Sequence, residues 1–475
     1  MKTLTIFDYF KENISDDIFY YEIDTNIKKN TNEIYNFVIE ASKNNYFVQN
    51  SKVLILLPNS IEFIEYMLCA IKNNCVFIPV PFFMIDQEVL KVIDYIKPDI
   101  IITDRVTLFE NYKLNFFNSS NDKKIFYNKK KPLEDLTNIC SIYYSSGTTS
   151  NPKGVMYTNE NMISLIQSIN NNFKFDRNDK HLVLLPFGHT ASINYNILPA
   201  ILGGFELYIT RGFENIRSNF FDIVSKYNIT YSQIVPTVLF MLNKLNINTS
   251  NASMSHLKFI GCGSSNLPLT SQVEFIEKYN VKVANLYGLS ETGPSHIDDP
   301  REINWTPGSI GIPLDVNECK IGLGGEIMLK GKNVFSNYYK NEKLYNKSIE
   351  NGWFKTGDIG KFEYNKYWYV DRSKDLIIKG GINIVPMEIE EVIYKHDNVL
   401  ECCVVGKKNK IVGEEIIAVI VLKNIENNDL QTINKICKKY LSNYKQPKDY
   451  HFVNELPKTQ SKKIMRRKVR EMFGG

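Results

Sequence analysis

The sequence predicts an α/β protein: a large N-terminal domain of βα-layered sheets that includes a β-rich subdomain, followed by a small α+β C-terminal domain. Three observations carry that reading. From residue 50, short apolar runs alternate with helix-length amphipathic segments, the pattern of parallel strands covered by helices on both faces. After about residue 305 the texture turns to Gly-rich, aromatic strands punctuated by turns. Beyond the polar stretch "VDRSKD" a shorter set of strands and helices follows. At 475 residues the chain exceeds the roughly 100–200 residues of one domain, so more than one compact unit is expected. The division reads as 1–370, with the β-rich subdomain over about 305–370, and 371–475.

The elements follow in order. "VLILLP" reads as a buried strand, 61–72 as a helix, "VFIPV" as a strand, 88–96 as a helix and "IIIT" as a strand. Then come a helix over 159–170, the strand "HLVLLP", a helix over 192–202 and the strand "ELYIT". "LKFIGCG", a helix over 270–278 and "KVANLYG" complete the alternation. Ligands of such sheets bind in loops at the carboxyl ends of strands. "GSIGIPL", "GGEIMLKG", "GWFKTGDIGKF" and "KYWYV" form the β-rich stretch. The C-terminal unit reads as a helix over 386–395, strands "VLECCVVG" and "EIIAVIVL", and a helix over 430–441.

Composition narrows the function classes. With 43% apolar residues and 23% charged, the chain is globular, and a net charge of +5 is small and dispersed. The basic run Lys462, Lys463, Arg466, Arg467, Lys468 and Arg470 reads as a solvated helix face, so no nucleic acid partner is expected. The eight cysteines form no C-x-x-C pair and lie mostly in apolar runs, as small buried hydrophobes in a reducing compartment. The N-terminus meets Asp8 and Lys11 too soon for a signal peptide, and no run reaches the ~18 apolar residues of a membrane span. A soluble cytoplasmic protein is expected.

The stretch "IYYSSGTTSNPKG", residues 142–154, places small hydroxyl residues and glycine directly after a strand and closes with a lysine. Backbone N–H groups and hydroxyls can converge there on polyphosphate oxygens, Gly147 permits unusual backbone angles, and Lys153 adds a flexible cation. A Walker loop is excluded, because Lys153 precedes Gly154 rather than Ser or Thr. On its own, such a cluster is also an ordinary surface loop.

Four further motifs accompany it in order: "NLYGLSETGP" (285–294), "GWFKTGDIG" (352–360), "VDRSKDLIIKGGINIVPMEIE" (370–390) and "LPKTQSKKIMRRKVR" (456–470). Together they resemble the AMP-forming adenylating family of acyl-CoA synthetases, peptide-synthetase adenylation domains and luciferases, over about residues 140–470. The resemblance implies ATP and Mg2+ as cofactors, a small carboxylic acid as substrate, and transfer of the acyl group to coenzyme A or to the phosphopantetheine of a separate carrier protein. It implies that Ser146, Gly147, Thr148 and Thr149 hold the β- and γ-phosphates with Lys153 in support. Tyr287 would lie against adenine, Ser290 beside the α-phosphate, and Glu291 at magnesium. Asp358 and Arg372 would bind the ribose, and Lys374 would be the hinge of a mobile lid. Gly381 would line the thiol channel, and Lys463 would be the catalytic lysine that neutralises charge at the α-phosphate and the carboxylate. "LLPFGHTASIN" (184–194) resembles the segment lining the acid pocket, with His189 orienting the carboxylate. Amino-acid-activating members carry an aspartate in that segment, and none lies between His181 and Arg211. The chain departs from the pattern at Ser150, Asn159, Asp371 and Lys462; the last leaves the register between Lys462 and Lys463 to be chosen by Ile464 and Arg466, which favour Lys463.

Overall fold

The computed structural model describes residues 4–110, 117–118, 125–127, 132, 134–145, 153–245, 254–424, 430–458 and 464–474. Two large sheets lie in the first 340 residues. In the nine-stranded one, six consecutive strands are parallel: Val283–Leu289, Phe259–Gly263, Tyr231–Ile234, Lys180–Val183, Glu206–Ile209 and Phe19–Glu22. In the eight-stranded one, Ile139–Ser145, Val76–Pro79, Lys52–Leu56 and Ile100–Thr103 are parallel. Both sheets end in antiparallel strands, so the alternation of strand and helix describes their centres and not their edges.

Burial on both faces explains the unbroken apolar runs. Along Lys52–Leu56, Val53 and Ile55 point into the principal core while Leu54 and Leu56 point into another on the opposite face. Val183 and Leu182 divide in the same way across the nine-stranded sheet. The principal core joins the facing sides of the two sheets through the helices Ile61–Lys72 and Asn159–Phe173, and further helices cover the outer faces. The helix expected over 192–202 is broken into Thr190–Ser192, a π-helical turn Ile193–Ile197 and Leu198–Gly203. Pro199, which offers no N–H to the preceding turn, lies at the junction.

The β-rich stretch forms a five-stranded sheet from Asn317–Ile321, Glu326–Gly331, Ile349–Glu350, Trp353–Glu363 and Lys366–Arg372. Its small core takes in Tyr287 from the nine-stranded sheet. A separate five-stranded sheet follows, with Val399–Asn409 and Gly413–Leu422 as its long pair. Cys402 and Cys403 point to opposite faces of it, one toward the helices Pro386–Ile393 and Leu430–Tyr440, the other toward Arg466–Phe473. All eight cysteines are free, and only Cys319 is not fully buried. Among the described residues, no helix is long and apolar enough to cross a membrane.

His181 shows how closed the principal core is. It is 0% exposed, ringed by Phe175 and Phe205 at 4.4 Å and Tyr231 at 4.8 Å, and its Nδ1 lies 3.4 Å from Asn196 Nδ2. Burial first, then the charge of Lys258, holds its pKa well below the ordinary histidine value. The unfolded chain takes up a proton there below about pH 6.5, whereas the fold resists it, so this contribution to stability is complete above that pH and is lost as the pH falls. Relative to a His181→Gln variant, the wild type should lose about 1.4 kcal/mol for each pH unit below ~6.5 in urea unfolding. Parallel pH profiles would contradict this.

Candidate active site

The strand Lys153–Thr158 is paired on both edges. On one side Ile139–Ser145 runs antiparallel, with Ser145 opposite Lys153; on the other lies Asn337–Tyr338, with Tyr338 opposite Val155. The glycine- and hydroxyl-rich segment therefore joins two antiparallel strands, not a strand to a helix. Ser146, Gly147, Thr148 and Thr149 lie outside the described residues, but both ends of their segment are held in this ladder.

Side chains from this edge reach the turn of the second motif. Tyr157 donates its hydroxyl to the Ser290 carbonyl at 2.7 Å, and Phe335 N–H donates to the Glu291 carbonyl at 2.8 Å. Tyr338 donates to Glu291 Oε1 at 2.8 Å, and Lys153 Nζ lies 5.4 Å from the centre of the Tyr338 ring. Burial, then the charge of Glu291, pushes the Tyr338 pKa up, so the phenol stays a donor. Lys153, Ser290 and Glu291, distant in sequence, thus share one locality. Gly288, just before the turn, tolerates no side chain: a Cβ would stand 2.2 Å from the Gly293 carbonyl oxygen.

A second cluster lies at the other end of the same hairpin. Tyr287 donates to Asp358 Oδ2 at 2.9 Å, and Arg372 Nε lies 3.4 Å from Asp358 Oδ1. Asp358 and Arg372 face each other across the antiparallel strands Trp353–Glu363 and Lys366–Arg372, which fixes the pair before any ligand arrives. Burial opposes the charge of Arg372, but Asp358, Tyr369 and Asp375 outweigh it and raise its pKa. Tyr287 and Glu291 are four residues apart, which limits the separation of their Cα atoms to about 14 Å.

His189 follows the loop at the carboxyl end of Lys180–Val183. It is half-buried, its ring lies 6.0 Å from that of Phe83, and its Nε2 is buried without a protein partner among the described residues. Burial pushes its pKa down to about 4, so the imidazole is neutral at pH 7. Ser192 donates to the Leu185 and Pro186 carbonyls at 2.7 and 3.0 Å and so pins the loop, while Tyr231 donates to Gln233 Oε1 at 2.6 Å.

Lys374 lies in the short turn Ser373–Asp375; burial first, then the nearby cations Arg372 and Lys153, lower its pKa. Asp371 is 3% exposed, and its Oδ2 accepts from Met387 N–H at 3.2 Å. It therefore caps the helix Pro386–Ile393, whose own preceding residue, Val385, provides no cap. That accounts for an aspartate at this departure from the motif. Gly380 and Gly381, at φ 59° and 80°, make the exposed turn of the hairpin Ile377–Lys379 and Ile382–Ile384, and a Cβ added at either would meet nothing within 4 Å. Lys463 lies outside the described residues; Lys458 and Ile464 on either side are bridged, and Lys458 pairs with Glu401 at 2.6 Å.

The AMP-binding enzyme family matches residues 47–339, and the AMP-binding enzyme C-terminal domain matches residues 388–463. The chain belongs to this family. A 2-succinylbenzoate–CoA ligase of Bacillus licheniformis is 34% identical over 348 residues, covering 70% of this chain and 70% of that protein. The probable CoA ligase CCL9 of Humulus lupulus is 29% identical over 351 residues, 71% of this chain and 67% of its own length. A long-chain-fatty-acid–CoA ligase of Bacillus subtilis is 32% identical over 353 residues, 70% of this chain and 61% of its own. Among solved structures, the anthranilate CoA ligase AuaEII with anthranoyl-AMP superposes with a TM-score of 0.88 at 21% identity, covering 99% of this chain and 97% of that one. These findings bear out the adenylating family and the α/β architecture read from the sequence, and the class of activity is AMP-forming acid–thiol ligation.

In this AMP-binding enzyme, Tyr157 and Tyr338 are the contributors that no motif announced. Each lies in a strand of ordinary composition, and only the pairing of those strands brings them to Ser290 and Glu291. Tyr338→Phe should raise the KM for MgATP roughly 10-fold, the equivalent of the ~1.5 kcal/mol of a hydrogen bond to a charged group. Steady-state kinetics with the acid saturating would check it; an unchanged KM would count against a role for this contact.

Proposed function

We propose that the protein activates a small carboxylic acid with MgATP and passes the acyl group to the thiol of coenzyme A. A carboxylate oxygen attacks the α-phosphorus, the bond to the β-phosphate oxygen breaks, and pyrophosphate leaves. The thiol sulfur, having given up its proton, then attacks the acyl carbonyl and AMP departs. The observation that carries the reading is one hairpin with a buried Tyr287–Asp358–Arg372 cluster at one end and Lys153, Tyr338 and Glu291 at the other. The spacing suits a nucleotide: Asp358 accepts from ribose hydroxyls, Arg372 supports it, and Tyr287 borders the base.

At the phosphate end, Ser146, Gly147, Thr148, Thr149 and Lys153 grip the β- and γ-phosphates and Ser290 lies beside the α-phosphate. Glu291, a hard oxygen donor steadied by Tyr338, suits Mg2+, which takes one or two carboxylates together with substrate phosphates. When bound there, Mg2+ would neutralise phosphate charge. Lys463 supplies the remaining cation at the meeting point of two anions, where positioning and charge stabilisation are the chief demands. His189 orients the carboxylate as a neutral imidazole.

Lys463 and an incoming thiol compete for the same cleft, so the lid rotates about Lys374 between the half-reactions, and Gly381 then lines the thiol channel. The similarity to CoA ligases favours coenzyme A, with the phosphopantetheine of a separate carrier protein as the second acceptor to assay. ATP use and the eight free thiols suit the cytoplasm.

Pyrophosphate exchange across a panel of carboxylic acids tests the first half-reaction, and CoA against holo-carrier protein tests the second. Asp358→Ala should raise the KM for ATP roughly 10–100-fold through lost hydrogen bonds to a charged group; unchanged ATP use would count against the ribose assignment. Lys463→Ala should lower adenylation by on the order of 10²–10³ while thiolation of supplied acyl-AMP stays within about 3-fold. Equal losses in both steps would refute the assigned role.

A further inference from the structure

Lys52 is a buried lysine with no part in the reaction as described. It is 5% exposed at the start of the strand Lys52–Leu56, and a lysine so enclosed is almost always paired. Its Nζ lies 3.5 Å from Oε2 of the half-buried Glu134 and donates to the Tyr339 hydroxyl at 3.3 Å. Tyr339 in turn donates to Glu134 Oε2 at 2.6 Å, and Lys340 pairs with the other carboxylate oxygen at 2.9 Å. Burial opposes the charge on Glu134, but Tyr339, Lys340 and Lys52 outweigh it and lower its pKa, so the carboxylate stays ionised at pH 7. The backbone of Lys52 is held as well. Its N–H donates to Asp99 Oδ2 at 2.8 Å, and the Asp99 N–H donates back to the Lys52 carbonyl at 2.9 Å.

Stability alone does not account for a charge placed there. Taking an ion pair out of water forfeits much of what its attraction returns, so an apolar pair of similar volume often serves as well or better. What the pair does fix is geometry, and the residues it fixes adjoin the site. Tyr339 N–H donates to the Gly154 carbonyl at 2.7 Å, which extends the ladder between Asn337–Tyr338 and Lys153–Thr158. Tyr95 donates to the Tyr339 carbonyl at 2.5 Å from the outer side. A Cβ on Gly154 would stand 3.0 Å from the Cβ of Tyr339, so the two residues meet with no room for a side chain between them. Lys153 immediately precedes Gly154, and Tyr338 immediately precedes Tyr339. The rings of Tyr338 and Tyr339 enter cores on opposite faces of the sheet. Holding Tyr339 by its hydroxyl therefore fixes the strand from which Tyr338 reaches Glu291.

We infer that Lys52, Glu134 and Tyr339 form a positioning network for the triphosphate of ATP: through Gly154 and Tyr338 it sets where Lys153 and Glu291 stand relative to the β- and γ-phosphates. This role rests on the adenylation reading above, with Lys153 and Glu291 at the phosphate end. The network touches no nucleotide atom itself. Tyr287, Asp358 and Arg372, at the ribose end, lie on other strands and are held by their own contacts. Loosening the network therefore affects a ligand that carries the β- and γ-phosphates and spares AMP, which lacks them.

Isothermal titration of the full chain with MgATP and, separately, with AMP, both without any acid present, tests this. Lys52→Met/Glu134→Gln removes both charges at similar volume. In that variant the Kd for MgATP should rise about 10-fold, the size of one hydrogen bond to a charged group. The Kd for AMP should change by less than about 2-fold, a split that a general loosening of the fold would not produce. Should the double variant not fold, Tyr339→Phe, which removes only the hydroxyl, carries the same comparison. An unchanged Kd for MgATP, or equal weakening of MgATP and AMP, would overturn the inference while the wild-type affinities leave the adenylation reading intact. A wild type that binds neither MgATP nor AMP would instead remove the adenylation reading and the network's role with it.

Discussion

The double pairing of Lys153–Thr158 is the constraint from which the site follows. Held by Ile139–Ser145 on one edge and Asn337–Tyr338 on the other, this strand cannot shift without breaking two ladders. Its side chain at Tyr157 and its neighbour's at Tyr338 then tie the eight-stranded sheet to the Ser290–Glu291 turn of the nine-stranded one. Each tie is a hydrogen bond made away from bulk water, where its direction is well defined. The two described residues that flank the intervening segment, Ser145 and Lys153, are thereby fixed in the same sheet that carries Tyr157 and Tyr338 to that turn.

Charge is managed by burial as much as by pairing. Asp358 is buried, accepts from Tyr287 and faces Arg372, and its charge helps to raise the pKa of Tyr369 nearby. On the chain that follows Arg372, burial and neighbouring cations lower the pKa of Lys374. The acids Asp375 and Asp358 act on it in the opposite direction, so charges of both signs meet where the β-rich sheet gives way to the C-terminal one.

Among the described residues, the C-terminal unit meets its neighbours through two hydrogen bonds and a ring contact, among others. Asp371 caps Pro386–Ile393, Leu269 N–H donates to Glu391 Oε1 at 3.2 Å, and the ring of Tyr394 lies 6.4 Å from that of Phe240. Within the unit, Arg466 makes a two-pronged pair with Glu390 at 2.7 and 3.1 Å and also donates to the Val404 carbonyl. Arg466 thus ties the last helix to the sheet and to the helix Pro386–Ile393 within the unit. Several cations of the basic run have local tasks: Arg466 pairs with Glu390, Arg467 with Glu471 and Arg470 with Glu414.

Alternating runs such as 53–56 and 61–72 were legible because strand and helix periodicity come from local backbone geometry. The motifs and their order were enough for the family resemblance, because both are written in the chain itself. The antiparallel edges, the π turn at Ile193–Ile197 and the partners of Glu291 were not legible. Strand partners are chosen by the global topology, and a hydrogen bond between residues 47 positions apart leaves no periodic trace. What the sequence by itself determined is the set of charged and hydroxyl groups and their order along the chain. Tertiary structure alone decided which of them meet, because that depends on contacts between segments that propensity cannot relate.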